Sequence, residues 1–276
     1  MQRGLLRVAV LALPYLFAIA GAARYPSYGT LQTTQTDGVL NVVINNTYST
    51  INLFDKYVQS DLANLIEELQ APDTDVRVVM LFPVSLLWNI TQLPQATIAM
   101  IEGRTRGIGN EFIMSCDMRF ASTAPSVLFN QFEVSFGVNP GAGGAMYLAH
   151  TMGRARAFEY ALSAQDVDAR TAASIGWINT AFDTSAALHQ YVQTLAARIA
   201  VFEPMGIAAT KTGINAVSRP PFDVLVRDAQ NVISGLLGMP SVQAFFEKFI
   251  EATHNQSISP LELNYGRDLG ELFKCQ

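Results

Sequence analysis

Three short β-branched runs punctuate the first hundred residues and fix the class of fold. Val39–Ile44 (VLNVVI), residues 76–82 (VRVVMLF) and Thr97–Ile101 (TIAMI) each suit a buried strand. Between the first two, Phe54, Val58, Leu62, Leu65, Ile66 and Leu69 recur at three- and four-residue spacing, which predicts a helix closed by Ala71-Pro72. Strand, helix and strand of this length form a βαβ unit, so the expected fold class is α/β, a parallel layer covered by helices. Residues 103–109 (GRTRGIG) lead into a helix over 110–116, and residues 139–144 (NPGAGG) open another. Met118–Ser122 and residues 127–129 read as short strands. The segment before Val39 reads as loose. From Arg154 onward Gly and Pro separate helical stretches at 153–162, 168–175, 185–201, 205–217, 223–237 and 241–253, with one strand over 177–182. An α/β core over residues 30–200 and a helical C-terminal region over 201–276, suited to oligomerisation, are the expected units.

Composition narrows the function. Of 276 residues, 50% are hydrophobic and 15% charged, against the roughly 25% charge of an average soluble protein, which excludes extended disorder. A formal charge of −5 and the lack of any Lys/Arg run exclude a nucleic-acid partner, which needs a cationic face for phosphates. Two cysteines exclude a disulfide scaffold, and Cys116, in an apolar run, reads as a core thiol. Part of the apolar excess lies at the start, where Arg3 and Arg7 precede residues 8–23 (VAVLALPYLFAIAGAA). A basic start, a short apolar centre and small residues at 20–23 describe a signal-like leader over residues 1–23; a signal anchor and an organellar presequence are the alternatives. The run is shorter than the ~18–20 residues of a spanning helix and contains Pro14. A working leader implies the secretory pathway or membrane attachment through this segment; otherwise the chain is intracellular. Sequons at Asn45, Asn89 and Asn255 are glycan acceptors only on that route.

For chemistry, a nucleophilic hydrolase is poorly supported: there is no G-x-S-x-G elbow, and His150, His189 and His254 are scattered. No His/Asp/Glu spacing suggests a metal. The glycines of residues 103–109 match neither a Walker A loop nor a full dinucleotide fingerprint. Two carboxylates stand out instead. Glu111 lies in Gly107-Ile108-Gly109-Asn110-Glu111-Phe112-Ile113-Met114, and Glu133 in Phe129-Asn130-Gln131-Phe132-Glu133-Val134-Ser135-Phe136. An apolar setting raises a carboxyl pKa toward values useful for proton transfer, and two facing one substrate make an acid–base pair. Alone, either would equally be a first-turn glutamate or an ion-pair partner. The glycine turn before Glu111 tips the balance, because it aims free helix N-terminal N–H groups at a ligand and suits a developing oxyanion.

These motifs, in order, resemble the crotonase (enoyl-CoA hydratase/isomerase) superfamily from about Gly38 to Ala216. The resemblance is carried by Thr97-Ile98-Ala99-Met100-Ile101-Glu102-Gly103, Gly107-Ile108-Gly109-Asn110-Glu111, Cys116-Asp117-Met118-Arg119-Phe120-Ala121, Asn130-Gln131-Phe132-Glu133, Pro140-Gly141-Ala142-Gly143-Gly144 and Gly153-Arg154-Ala155-Arg156-Ala157. It implies a crotonase-like spiral of ββα units with a helical C-terminal region, a homotrimer or hexamer, and an acyl-CoA thioester substrate. Coenzyme A is then part of the substrate, with no separate cofactor and no metal. It also implies that Glu111 orients and deprotonates water, that Glu133 delivers a proton to Cα, and that the Ile108 N–H is an oxyanion donor, with Gly107 and Gly109 against the substrate. The chain departs from the family after residue 82. A long loop and helices there supply the second oxyanion N–H and contacts to the CoA adenine, whereas here only 14 residues (83–96) precede Thr97. That departure motivates the alternative of a catalytically impaired acyl-binding or assembly protein on the same fold.

Overall fold

Asp37 and Gly38 take φ of 49° and 77°, the left-handed pair that a two-residue hairpin demands. They join strands β2 (Leu31–Thr36) and β3 (Val39–Ile44) in antiparallel register, Thr36 opposite Val39 and Leu31 opposite Ile44. The computed structural model describes residues 6–10, 26–49, 53–70, 83–253 and 259–273. Ahead of the hairpin runs β1 (Leu6–Val10). After it come α1 (Lys56–Gln70), α2 (Pro83–Gln92), β4 (Thr97–Ile101), β5 (Thr105–Arg106), α3 (Ile108–Ser115), β6 (Met118–Ser122) and β7 (Leu128–Asn130). A 3-10 turn (Glu133–Phe136) leads to α4 (Gly144–Met152), α5 (Arg154–Ser163), β8 (Val167–Asp168), α6 (Ala169–Ile175) and β9 (Thr180–Phe182). The helical end comprises α7 (Ser185–Ala200), α8 (Pro204–Ser218), α9 (Phe222–Gln230), α10 (Pro240–Ala252), α11 (Pro260–Leu263) and α12 (Tyr265–Phe273).

Six strands form one sheet in the order β2-β3-β1-β4-β6-β9, and β5, β7 and β8 form a second. The large sheet is mixed. β4, β6 and β9 run parallel, as expected of strands joined through helices, whereas β1 pairs antiparallel with both β3 and β4. This corrects two expectations. The first half of the sheet is not a simple parallel layer, and the segment before Val39, read as loose, supplies β2. Its polar sequence LQTTQT hides the strand because it lies at the sheet edge. β1 falls within the apolar segment read as a leader. The strand expected over 76–82, the rest of that leader and Asn255 lie outside the described residues.

All five residues of β4 are buried because helices cover both faces of the sheet. Ala99 and Ile101 point to a core shared with Val58, Leu62 and Leu65 of α1, Leu86 and Leu87 of α2, and Phe112 of α3. Ile98 and Met100 point to Leu188, Val192 and Ala196 of α7 on the other side. Full burial of each such aliphatic side chain contributes roughly 1.5–3 kcal/mol. A third, aromatic cluster joins Phe136 to Phe245 and Phe249 of α10 and to Tyr265 of α12. Lys211 of α8 clamps the second face: it donates to Asp117 Oδ2 (2.8 Å), which also accepts from the Thr97 backbone N–H (2.7 Å). Among the described residues, no helix is long and apolar enough to cross a membrane.

Candidate active site

The site begins where β4 and β5 hand the chain to α3. Gly107 sits at φ 52°, ψ −126°, a turn that favours glycine, and its N–H donates to the Asn130 carbonyl at the end of β7 (3.0 Å). That bond docks the start of α3 against the segment that leads to Glu133. Ile108 opens α3, so its N–H has no intrahelical acceptor and, among the described residues, no other partner at the positive end of the helix. A Cβ on Gly107 would stand 3.1 Å from Glu133 Oε1 and 3.2 Å from the Phe132 ring, whereas one on Gly109 would meet nothing within 4 Å among the described residues. The structure therefore brings Gly107, Ile108, Glu111 and Glu133 together, and leaves Gly109 without a neighbour at its missing side chain among the described residues.

The two glutamates are held differently. Glu111, buried in α3, accepts at Oε1 from the N–H groups of Ala142 (2.8 Å) and Gly144 (2.9 Å), both in the glycine-rich turn that starts α4. Burial raises its pKa to about 7; the two N–H donors oppose that rise and the Asp228 charge adds to it. Glu133 opens the 3-10 turn, and its Oε1 accepts from Gln131 Nε2 (2.8 Å), while Oε2 is shielded from solvent and has no partner among the described residues. Burial raises Glu133 to about 8, with the Glu111 charge as the second cause and the Gln131 donor opposing. As a whole residue Glu133 is half-buried, yet the shielding of Oε2 is what governs its ionisation. Both carboxyls are thus raised toward neutral pH, Glu133 partly by the Glu111 charge.

Several participants escaped the sequence reading. Asp228 of α9 has a carboxyl raised by burial, and α9 with the turn after it lies on the glycine turn: a Cβ on Gly141 would meet Val232 and Ala229. Tyr265 of α12 exchanges a hydrogen bond with Ser135 (2.8 Å) and packs on Phe132 and Phe136, so the C-terminal helix roofs the Glu133 segment. Arg106 fastens that roof. It grips Asp166 with Nε (2.9 Å) and Nη2 (2.5 Å) and donates from Nη1 to the Glu262 carbonyl of α11 (2.6 Å). Such pairings bridge 60 to 156 positions and leave no periodic trace in sequence.

Other groups are accounted for elsewhere. Cys116 is buried and its thiol is pushed up to about 12 by burial first and by Asp117 second, as suits the expected core role. His189 pairs with Glu102 (2.9 Å) and ties α7 to the end of β4. Asn89 lies within α2, and the Thr91 of its sequon is buried, its hydroxyl bonded to the Trp88 carbonyl and to Arg219. Among the described residues, no group of three His, Cys, Asp or Glu could hold a metal ion. An apolar hollow lined by Val42, Leu62, Leu65, Ile90 and Cys116 lies in the core beneath the sheet and contains neither glutamate.

A family model described as enoyl-CoA hydratase/isomerase matches residues 49–251. The chain belongs to the enoyl-CoA hydratase/isomerase family. The fold agrees: the crystal structure of a protein assigned as an enoyl-CoA hydratase from Streptomyces avermitilis superposes with a TM-score of 0.79 at 32% identity, covering 89% of this chain and 98% of that one. An enoyl-CoA hydratase from Mycobacterium avium subsp. paratuberculosis shares the fold at 23% identity, with a TM-score of 0.67 over 80% and 97% of the two chains. A short-chain-enoyl-CoA hydratase from Clostridium acetobutylicum is 32% identical over 123 residues, 45% of this chain and 46% of that protein. A mitochondrial enoyl-CoA hydratase assignment from Dictyostelium discoideum is 25% identical over 172 residues, 61% of each. The matches thus span about half to three fifths of these curated relatives. The expected crotonase-like α/β fold with its helical C-terminal region is what this family member has.

Proposed function

We propose that this family member adds water to the double bond of an enoyl-CoA thioester, or shifts that bond, with Glu111 and Glu133 as the base and acid. In the hydration, Glu111 takes a proton from water as the water oxygen bonds to Cβ. The π electrons move onto the thioester carbonyl, and the resulting enolate oxygen accepts from the Ile108 N–H. The enolate then collapses as the Glu133 proton bonds to Cα, and proton exchange between the two carboxyls restores the starting state. Gly107 and Gly109 line the approach without side chains in the way, and coenzyme A belongs to the substrate, with no separate cofactor.

The observation that carries this reading is the unlike holding of two raised carboxyls around one glycine turn. Two backbone N–H groups favour the charged form of Glu111, suiting it to the base, while Glu133, with its shielded oxygen, retains the proton more tightly. Isomerisation needs only one carboxylate to carry the proton and is the narrower use of the same site. The test is turnover of enoyl-CoA esters of increasing chain length by the wild type and by Glu111→Gln and Glu133→Gln.

A second reading, an acyl-ligand-binding or assembly protein without turnover, is favoured by the 83–96 segment. α2 fills it from Pro83 to Gln92, and its first residue has no N–H to give an oxyanion. Losing one such donor typically costs about 100- to 1000-fold in rate. Binding of acyl-CoA in calorimetry with no turnover would support it. Self-association as a trimer or hexamer is supported by exposed Val201, Met205, Ile214 and Val217 around α7 and α8, and light scattering of the purified chain tests it.

A further inference from the structure

We propose that Trp177, Asn110 and Gln131 are positioning residues that form a one-way chain of hydrogen bonds ending on Glu133 Oε1, and so assign proton transfer to Glu133 Oε2. The proposal rests on the reading of Glu133 as the acid and names the atom through which it acts.

The direction of the chain follows from chemistry. An indole N–H only donates, so the atom of Asn110 that faces Trp177 Nε1 at 2.9 Å must be its carbonyl oxygen. Its Nδ2 then donates to Gln131 Oε1 (2.5 Å), which leaves Gln131 Nε2 to donate to Glu133 Oε1 (2.8 Å). Amide orientation is ordinarily ambiguous, but here one donor-only group fixes both amides in turn. Trp177, Asn110 and Gln131 are fully buried, so water offers no competing partner. Trp177 is itself fixed, its carbonyl accepting from Arg119 Nε (3.1 Å) and its ring packed on Phe129 and Tyr160. Gly144 confines the Gln131 amide, since a Cβ there would stand 2.6 Å from Gln131 Cδ.

The consequence falls on the carboxyl. An oxygen that receives a donor serves best as the carbonyl-like acceptor, so the proton resides on the other oxygen. Glu133 Oε2 is buried and has no partner among the described residues, so it is the oxygen left to carry the transferable proton. If the donor end were lost, both amides would be free to turn. Gln131 would then present its oxygen to Glu133 Oε1, hold the proton there and favour the neutral acid.

The test uses the full chain labelled with 13C at the glutamate carboxyl and 15N at the indoles, titrated by NMR, with Glu133→Gln assigning the Glu133 signal. In the wild type the Trp177 indole N–H shift is expected to follow the Glu133 midpoint, while Trp88, stacked with Arg219 3.9 Å from its ring, stays flat. Trp177→Phe, which keeps the ring and removes the donor, should move the Glu133 midpoint upward by about one pH unit or more. Its kcat should fall on the order of 10- to 100-fold with KM unchanged. An unmoved Glu133 midpoint in folded Trp177→Phe overturns the proposal, as does a Trp177 signal in the wild type that ignores the Glu133 titration. The wild-type titration decides alone if the variant fails to fold. Absence of enoyl-CoA turnover in the wild type sinks the proposed function, while the titrations still judge the chain.

Discussion

Gly144 joins the two glutamates: its N–H donates to Glu111 Oε1 at 2.9 Å, and its Cα lies against the Gln131 amide that holds Glu133. A methyl at this position has no room, because it would come within 2.6–2.7 Å of three Gln131 atoms. Gly144→Ala must therefore push Gln131 away or shift the start of α4, and either movement disturbs both carboxyls. Overpacking of this kind costs about 1–3 kcal/mol. A denaturant melt is expected to show that loss, together with a fall in any enoyl-CoA activity larger than the stability change explains.

The two glycines at the start of α3, Gly107 at its cap and Gly109 in its first turn, should behave oppositely. Gly107 is at φ 52° with Glu133 and Phe132 close by, so Gly107→Ala carries backbone strain of roughly 1–3 kcal/mol and crowds Glu133. Gly109 lies in the first turn of α3 with no described residue near its missing side chain, and Gly109→Ala gains helix propensity of up to about 1 kcal/mol. Thermal melts of the two variants should move in opposite directions. A loss of activity in a stabilised Gly109→Ala would then report substrate contact rather than folding.

Both glutamates make stability depend on pH. Each binds its proton more tightly folded, near 7 for Glu111 and 8 for Glu133, than in an unfolded chain, where a glutamate titrates near about 4.3. Between those values the native state holds more protons than the unfolded state, so stability falls as pH rises, by at most about 1.4 kcal/mol per pH unit per group. The penalty is absent below the unfolded value and complete above the folded one. Glu133→Gln is expected to stabilise the protein at pH 9 and to leave it unchanged at pH 4, as read from paired melts.

The roof over Glu133 depends on one guanidinium. Arg106 and Asp166 are nearly buried, and the same arginine reaches the Glu262 and Leu263 carbonyls at the end of α11, two to three residues before Tyr265. Lysine keeps the charge but not the fork that meets Asp166 and the carbonyls together. Breaking one partner of a buried pair costs about 3–5 kcal/mol, so Arg106→Lys should lose a good part of that. Amide exchange in α11 and α12 is expected to speed up well before exchange in β4, whose protection should hold.

Much of this was legible in sequence where a local rule governs the chain. Pro204 at the start of α8, Gly153 ahead of α5 and the apolar spacing of α7 mark those helices to within a residue or two. Glu111 and Glu133 stand out because charge in an apolar run is costly. Failures arose where a tertiary neighbour decides. β2 is polar because it edges the sheet, and the stretch read as one helix over 223–237 breaks after Gln230 into a π turn and a 3-10 turn as Val232 packs on the glycine loop. Trp177 and Asn110 are 67 positions apart, and nothing local tells a buried amide which partner it will meet.

The central claim is that Glu111 and Glu133 act as one base and one acid on an enoyl-CoA. It is tested most directly by following consumption of the conjugated enoyl thioester in the wild type, Glu111→Gln and Glu133→Gln. The expected result is turnover by the wild type, greatest between about pH 7 and pH 8 where the pair holds one proton, and a loss in kcat of at least about 100-fold in each variant. A Glu111→Gln protein that turns over enoyl-CoA at the wild-type rate would contradict it.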